Sequence, residues 1–362
     1  MTTAETTAPP MMTGEARILA ACERRPVDVT PVWYMRQAGR CLAEYRELRR
    51  RYDILTLART PELSAQVTLM PVERFGVDAA VMFADIMLPL DGMGVPFTIE
   101  PDIGPIIHSP IRTLADVERI RVIEAEEATP YVFEAIRMVR RELAGRAATL
   151  GFSGSPFTLA CYMIEGRPSR DYARSKSFMY SEPVAWRLLM EKVSEVVVRY
   201  LRGQIAAGAQ AVQLFDSWVG VLGPDVYSEM VLPYSRRIFD EVRKTGVPSI
   251  HFGTGNSSLL ELMSAAGPDL VSLDWRVPLD AAWERIGHDK GVQGNLDPVV
   301  MLSGWDVIEA RAADVLRRAG GRPGHIFNLG HGVLAETDPD QLTRLREYVH
   351  AESARTGQDE ER

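Results

Sequence analysis

AVQLFDSWVGVLGPDVYSEMVLPYSRRIFDEVRKTGVPSIHF, residues 211–252, decides the fold. Ala211–Phe215 is a short apolar run that stops at Asp216. Pro224–Thr245 then carries apolar residues at helical spacing, and Ser249–Phe252 is apolar again. A strand, a helix and a strand in that order form one parallel βα unit. Working outward, the same pattern recurs. The expected strands are Val32–Met35, Ala79–Phe83, Ala148–Phe152, Ala211–Phe215, Ser249–Phe252, Leu270–Leu273, Val292–Gly294 and His325–Asn328. Amphipathic segments such as Pro183–Gly203 and Val307–Ala319 lie between them. Eight such units point to a single-domain α/β protein, a (β/α)8 TIM-type barrel, rather than to an open sheet. GMGVPFTIEPDIGPIIHSP, residues 92–110, has strand character with turn residues at both ends and reads as a hairpin inserted after the second strand. No fixed-period repeat and no linker divides the chain. The barrel is expected over 15–350, with flexible tails at 1–14 and 351–362.

Composition narrows the function. The 362 residues are 46% hydrophobic and 25% charged, an ordinary globular balance. The net charge of −8 argues against nucleic acid or an anionic membrane as a partner. It does not exclude a small anion, because a local arginine cluster overrules the global field. The three cysteines, Cys22, Cys41 and Cys161, are scattered and form no CxxC pair, so neither a disulfide framework nor a structural zinc is expected. MTTAETTAPPMMTGE at the start carries two glutamates and no Lys or Arg, unlike a secretory or transit segment. No apolar stretch reaches the length of a membrane span. A cytoplasmic protein is expected.

In a barrel of this type, chemistry gathers just after each strand. The exits here are Arg36-Gln37 with Arg40, Asp85, Ser153-Gly154-Ser155, Asp216-Ser217-Trp218, Gly253-Thr254-Gly255, Asp274-Trp275-Arg276, Asn295 and Gly330-His331-Gly332. Turn formers account for the Gly, Ser, Asp and Asn. They do not account for the arginines or the histidine. Residues 36–59 hold seven arginines against three acids, inside a net-acidic chain. Several of these arginines, on AEYRELRRRYD, form a solvated helix face. Arg36 and Arg40 read either as surface arginines or as bidentate forks for carboxylate or phosphate. Asp85, between two apolar runs, is either a turn aspartate or a desolvated functional one. Tyr162 has the plain reading of a core tyrosine, Ser217 that of a turn serine, and His331 that of a structural histidine. His251, within the fifth strand, reads as packing. FGTGNSSLL lacks the full dinucleotide fingerprint, and no GxxxxGK[ST], HExxH or GxSxG occurs. A cofactor-free reaction on an anionic substrate is the economical reading.

Five segments carry a resemblance to a known family. PVWYMRQAGR followed by LAEYRELR, MFADIMLPLDGMG (82–94), GFSGSPFTLACYMIEG (151–166), QLFDSWVG (213–220) and FNLGHGVLAETDP (327–339) resemble the uroporphyrinogen decarboxylase family, in the right order over roughly residues 30–340. RQAGR and NLGHG together are specific. Cys41 departs from the family, which usually has an aromatic after RQAGR. The resemblance implies a (β/α)8 barrel, a homodimer, and neither metal nor prosthetic group. It implies conversion of the four acetates of uroporphyrinogen III to methyls, giving coproporphyrinogen III and four CO2. Matched motif by motif, it puts substrate contacts on Arg36, Gln37, Arg40, Asp85, Tyr162, Ser217 and His331. Asp85, Arg36 and Arg40 are then the catalytic set. Asp85 would stabilise a pyrrole cation beneath the macrocycle, and the arginines would hold the carboxylates. Two other readings stay open. One is a zinc-dependent methyltransferase, which would need His and Cys ligands at strand exits. The other is a non-catalytic tetrapyrrole-binding barrel.

Overall fold

The structure is a computed structural model that describes residues 11–101 and 103–354. The tails expected at 1–14 and 351–362 fall outside the described residues over 1–10 and 355–362. Thr13 caps the helix Gly14–Cys22, and the last described helix is Pro339–Glu352. The described strands are β1 (Ala79–Val81), β2 (Phe97–Glu100), β3 (Gly104–Ile107), β4 (Ala148–Gly154), β5 (Ala211–Asp216), β6 (Ser249–Gly253), β7 (Leu270–Ser272), β8 (Gly291–Gln293) and β9 (His325–Ile326). Seven of them pair in parallel in the order β1-β4-β5-β6-β7-β8-β9. β2 and β3 pair antiparallel, Phe97 opposite Ile107 and Glu100 opposite Gly104.

The segment expected as a first strand, Val32–Met35, is a single bridge rather than a strand. Val32 bridges Phe327 in parallel, with the Trp33 N–H donating to the Phe327 carbonyl at 3.3 Å. On its other side the Asp78 N–H donates to the Val32 carbonyl at 2.8 Å. One peptide therefore joins both edges of the seven-stranded sheet and closes it. The ladder goes no further because side chains take the neighbouring donors. The Val32 N–H donates to Asp78 Oδ2, the Tyr34 N–H to Gln37 Oε1 and the Met35 N–H to Asn328 Oδ1. β1 stops at Val81 for the same reason, since the Phe83 N–H donates to Thr68 Oγ1.

The outer layer follows the apolar periodicity. Pro183–Ala207 begins with proline at a position that needs no amide donor and ends at Gly208 in the left-handed region, φ +117°. The segment expected as one helix over Pro224–Thr245 is broken into Pro224–Met230 and Leu232–Arg243. Pro233 has no N–H to continue the first helix. None of the described helices is long and apolar enough to cross a membrane.

The barrel interior is partly polar, and its polar groups are joined. Trp33 Nε1 donates to Gln293 Oε1 at 2.9 Å, and Gln293 Nε2 donates to Gln213 Oε1 and Ser272 Oγ. All four residues are buried, so each bond offsets the cost of removing an amide, an indole N–H or a hydroxyl from water. His325 is also inside, its Nε2 3.0 Å from the Gly294 carbonyl. Burial lowers its pKa from 6.5 to about 4, against the opposing pull of that carbonyl. The unfolded chain takes up this proton near pH 6.5, whereas the folded chain resists it until about pH 4. Stability is therefore lost as pH falls through that window, by on the order of 3 kcal/mol. His325→Gln is expected to show a shallower fall in unfolding free energy between pH 6.5 and 4 in urea titrations. An unchanged slope would contradict this account.

Candidate active site

Barrel closure brings the exit of the Val32 segment beside those of β1 and β9. The chain turns immediately after Met35. The Gln37 N–H donates to the Tyr34 carbonyl, and Arg36 lies in the left-handed region at φ 59°. A non-glycine residue there stores on the order of 1 kcal/mol of strain, held by the surrounding structure. Gln37 is fully buried, with Oε1 accepting from Tyr34 N and Nε2 donating to the Ala79 carbonyl. It braces the turn from beneath and leaves Arg36 pointing outward. Gly39 is required here, because a Cβ would meet the Arg36 carbonyl at 2.9 Å.

The basic run resolves into two groups. Arg50 and Arg51 pair with Glu47, and Arg59 pairs with Asp91. Arg46 donates to the carbonyls of Arg40 and Cys41 and caps the turn. Arg36 and Arg40 are exposed and have no acidic partner within 4 Å among the described residues. Arg40 lies on the rim near Tyr45. Burial raises the Tyr45 phenol, while Arg49 and Arg40 pull it down.

Asp85 follows β1. One carboxylate oxygen accepts the Met87 N–H at 2.8 Å. Burial raises its pKa, against that hydrogen bond and the nearby Arg36 charge. The Met87 N–H and the Arg36 charge only partly offset the cost of burying this carboxylate. Tyr162 comes from the helix Pro156–Glu165, which starts at the exit of β4 with Ser155 as its N-cap. It is only 7% exposed, and burial and the Asp85 charge raise its phenol, against Arg36. His331 lies after β9. Burial, then Arg36, then Arg276 lower its pKa to about 4, while Asp274 opposes them. The imidazole is therefore neutral at pH 7 and able to share a site with arginines. Arg36 is thus the centre of one cluster with Asp85, Tyr162 and His331.

Ser217 is half-buried at the exit of β5, with no direct contact to that cluster recorded among the described residues. Its neighbours are tightly tied. Asp216 is fully buried and accepts the hydroxyls of Ser155 at 2.5 Å and Thr158 at 3.0 Å. This holds the β5 exit to the start of the helix that carries Tyr162. His251 is fully buried and packs its ring on Phe239. Gly332 serves Arg36 directly, since a Cβ there would lie 2.5 Å from Arg36 Cδ. Gly330 admits the backbone of the next loop, with Trp275 N at 2.4 Å from a would-be Cβ.

Reading the strand exits missed an aromatic wall around the mouth. Phe152, Phe215, Phe252, His331 and Trp275 meet in sequence, with ring centroids 5.4, 5.7, 6.1 and 6.2 Å apart. Trp218 packs on Tyr162 at 5.8 Å. Phe215 and Phe252 enter this space from neighbouring strands, a signal the runs conceal because a phenylalanine at a strand end reads equally as core packing. The three cysteines are buried free thiols, and burial raises Cys41 to about 11. No group of three or more His, Cys, Asp or Glu gathers in metal-binding fashion among the described residues. The arrangement offers cations at the rim, the carboxylate of Asp85 with an oxygen not taken by a protein donor among the described residues, and flat aromatic walls. It suits a planar or bowl-shaped polyanion with N–H donors at its centre.

Comparisons with known proteins agree with this. The model of the family described as uroporphyrinogen decarboxylase (URO-D) matches residues 13–352. A uroporphyrinogen decarboxylase of Carboxydothermus hydrogenoformans is 54% identical over 92% of this chain and 95% of its own. One from Sorangium cellulosum is 54% identical over 92% of this chain and 96% of its own. Among solved structures, a methyltransferase from Methanosarcina mazei superposes with a TM-score of 0.78 at 21% identity, covering 95% of this chain and 100% of its own. That likeness speaks for the barrel alone.

Gly332→Ala tests whether the Arg36 pose matters. The added methyl meets a flexible side chain, not backbone. The variant is expected to melt close to the parent yet lose about tenfold in kcat/KM, because a misplaced side chain of this kind costs orientation. Unaltered kinetics would show that Arg36 acts from another pose.

Proposed function

The chain belongs to the uroporphyrinogen decarboxylase family, and from that premise we propose how its own residues remove CO2 from the acetate arms of uroporphyrinogen III. It is a carboxy-lyase of tetrapyrrole synthesis, and coproporphyrinogen III is the product of four rounds. The observation that carries the reading is the Arg36 cluster, in which a desolvated carboxylate and a neutral imidazole share one unpaired cation.

An acetate on a pyrrole cannot lose CO2 directly, because the electron pair left behind has nowhere to go. A proton added to the adjacent ring carbon makes the ring iminium-like and supplies a sink. The C–C bond then breaks, its pair forms an exocyclic double bond and CO2 leaves. Protonation of the exocyclic carbon gives the methyl, and loss of the ring-carbon proton restores the pyrrole. One proton is consumed per CO2. The pyrrole itself performs the electron-sink role that a cofactor supplies elsewhere, so the chemistry requires none.

Positive charge develops on the pyrrole nitrogens. Asp85, with one oxygen free of protein donors among the described residues, accepts pyrrole N–H bonds and stabilises that charge. In a desolvated site such a fixed charge is worth far more than in water. Arg36 and Arg40 hold carboxylates and orient the reacting acetate. Tyr162, Ser217 and His331 add hydrogen bonds to carboxylates, with His331 acting as a neutral group. Gln37 contributes by fixing the Arg36 turn. The aromatic wall takes the macrocycle's apolar edge. The family resemblance supports a homodimer, which sedimentation velocity reads directly, and a cytoplasmic setting.

Purified protein incubated anaerobically with uroporphyrinogen III is expected to yield seven-, six-, five- and four-carboxyl products in turn. Unchanged substrate with folded protein would overturn the reading. Asp85→Asn keeps shape and removes charge. It is expected to lose at least about 1000-fold in kcat with little change in melting temperature. Near-parental turnover would remove Asp85 from the mechanism.

A further inference from the structure

The loop after β7 carries a cation that the family motifs do not assign. Asp274 there is fully buried. Its Oδ1 accepts the Arg276 N–H at 2.9 Å, and its Oδ2 accepts Arg276 Nη1 at 2.7 Å and the Gly255 N–H at 2.5 Å. The guanidinium lies over the Trp275 ring, 3.9 Å from its centroid. That ring in turn stands edge-on to His331 at 6.2 Å. The side chain is nonetheless 47% exposed, and its Nε and Nη2 have no acceptor among the described residues. Gly330 allows this loop to sit directly against the His331 turn.

These contacts fix a planar fork at the mouth. One nitrogen is held from below by a carboxylate, one face is covered by an indole, and the outer edge is open. That is how an arginine is pre-organised for a planar carboxylate. The pairing with Asp274 orients the group without closing it, because the carboxylate is at the buried end. The substrate of the proposed function carries eight carboxylates, and the unpaired Arg36 and Arg40 supply only two forks. The charge of Arg276 is also felt at His331, which places it within electrostatic reach of the Arg36 cluster.

We propose that Arg276 is a substrate-binding residue whose open edge takes a peripheral carboxylate of the tetrapyrrole, with Asp274 and Trp275 as its positioning residues. This rests on the decarboxylase reading. Binding of this kind acts equally on ground and transition states, so it shows in KM rather than kcat.

The test is anaerobic steady-state kinetics of the full chain with uroporphyrinogen III, for the parent, Arg276→Gln and Arg276→Lys, at several salt concentrations. Arg276→Gln keeps a donor for Asp274. It is expected to raise KM about tenfold, hold kcat within about twofold and weaken the salt dependence of KM. Arg276→Lys keeps the charge and loses the fork, so its KM is expected between the two, with parental salt dependence. The lysine variant decides the matter if the glutamine variant melts early. A fall in kcat at constant KM, or unchanged KM and salt dependence in folded variants, overturns the inference while leaving the decarboxylase reading intact. A parent protein that leaves the substrate unchanged overturns both.

Discussion

One peptide unit, Val32, holds the barrel shut. Its carbonyl takes the Asp78 N–H and its amide donates to the Asp78 carboxylate, while Trp33 beside it donates to Phe327. Asp78 is therefore bonded to Val32 by both backbone and side chain. The same carboxylate accepts Arg17 Nη1 at 3.1 Å and lies 2.8 Å from His350 Nε2. Arg17 also grips Asp28 with two 2.8 Å bonds. Helices from the two ends of the barrel sequence, Gly14–Cys22 and Pro339–Glu352, thus converge on the residue that closes the sheet. Loss of one partner from a buried network of this kind costs about 3–5 kcal/mol. The candidate site depends on the same closure, because only a closed sheet sets Arg36, after the Val32 segment, between Asp85 after one edge strand and His331 after the other.

The charges at the mouth are arranged so that none is self-defeating. Arg36 and Arg40, without acidic partners among the described residues, stand in a chain of net charge −8, so the local charge runs against the global one. A protonated imidazole beside them would repel them. Burial and the arginines themselves keep His331 neutral. Asp85 is under the opposite pressure. Burial favours its protonated form and Arg36 favours its ionised form. The Met87 N–H and the Arg36 charge both work against that protonation, so in the proposed mechanism the substrate-holding cation also acts on the charge-stabilising carboxylate.

Much of this was legible in the sequence, and the losses have identifiable causes. Apolar runs ending in polar residues located the seven paired barrel strands, and the first few residues after the runs include Arg36, Asp85 and His331, which the structure brings together. Val32–Met35 misled because its composition is that of a strand. What unmakes the strand is long-range: Asn328 and Gln37 side chains capture the amides that a ladder would need. The family resemblance puts a substrate contact on Gln37, whereas its side chain is fully buried and bonded to Tyr34 and Ala79. The aromatic wall was hidden because Phe215 and Phe252 are indistinguishable from packing until the strands are set side by side. Arg276 stood at a recognised exit. Its role depends on Asp274, Trp275 and Gly330, three residues that acquire meaning only once the loops meet.

The likeness to a methyltransferase barrel at 21% identity sharpens where function resides. Two chains can share nearly the whole path of the backbone and differ in what the strand exits carry. Here β6 ends in His251-Phe252-Gly253, with the histidine wholly buried against Phe239 and the next side chain joining the aromatic wall. The exits of this barrel gather arginine forks, flat rings and buried carboxylates, of which Asp216 and Asp274 are taken up by protein donors. Such a mouth favours a large polyanion with an apolar middle and an electron sink of its own. The protein has then only to hold the macrocycle and to balance the charge that the departing CO2 requires.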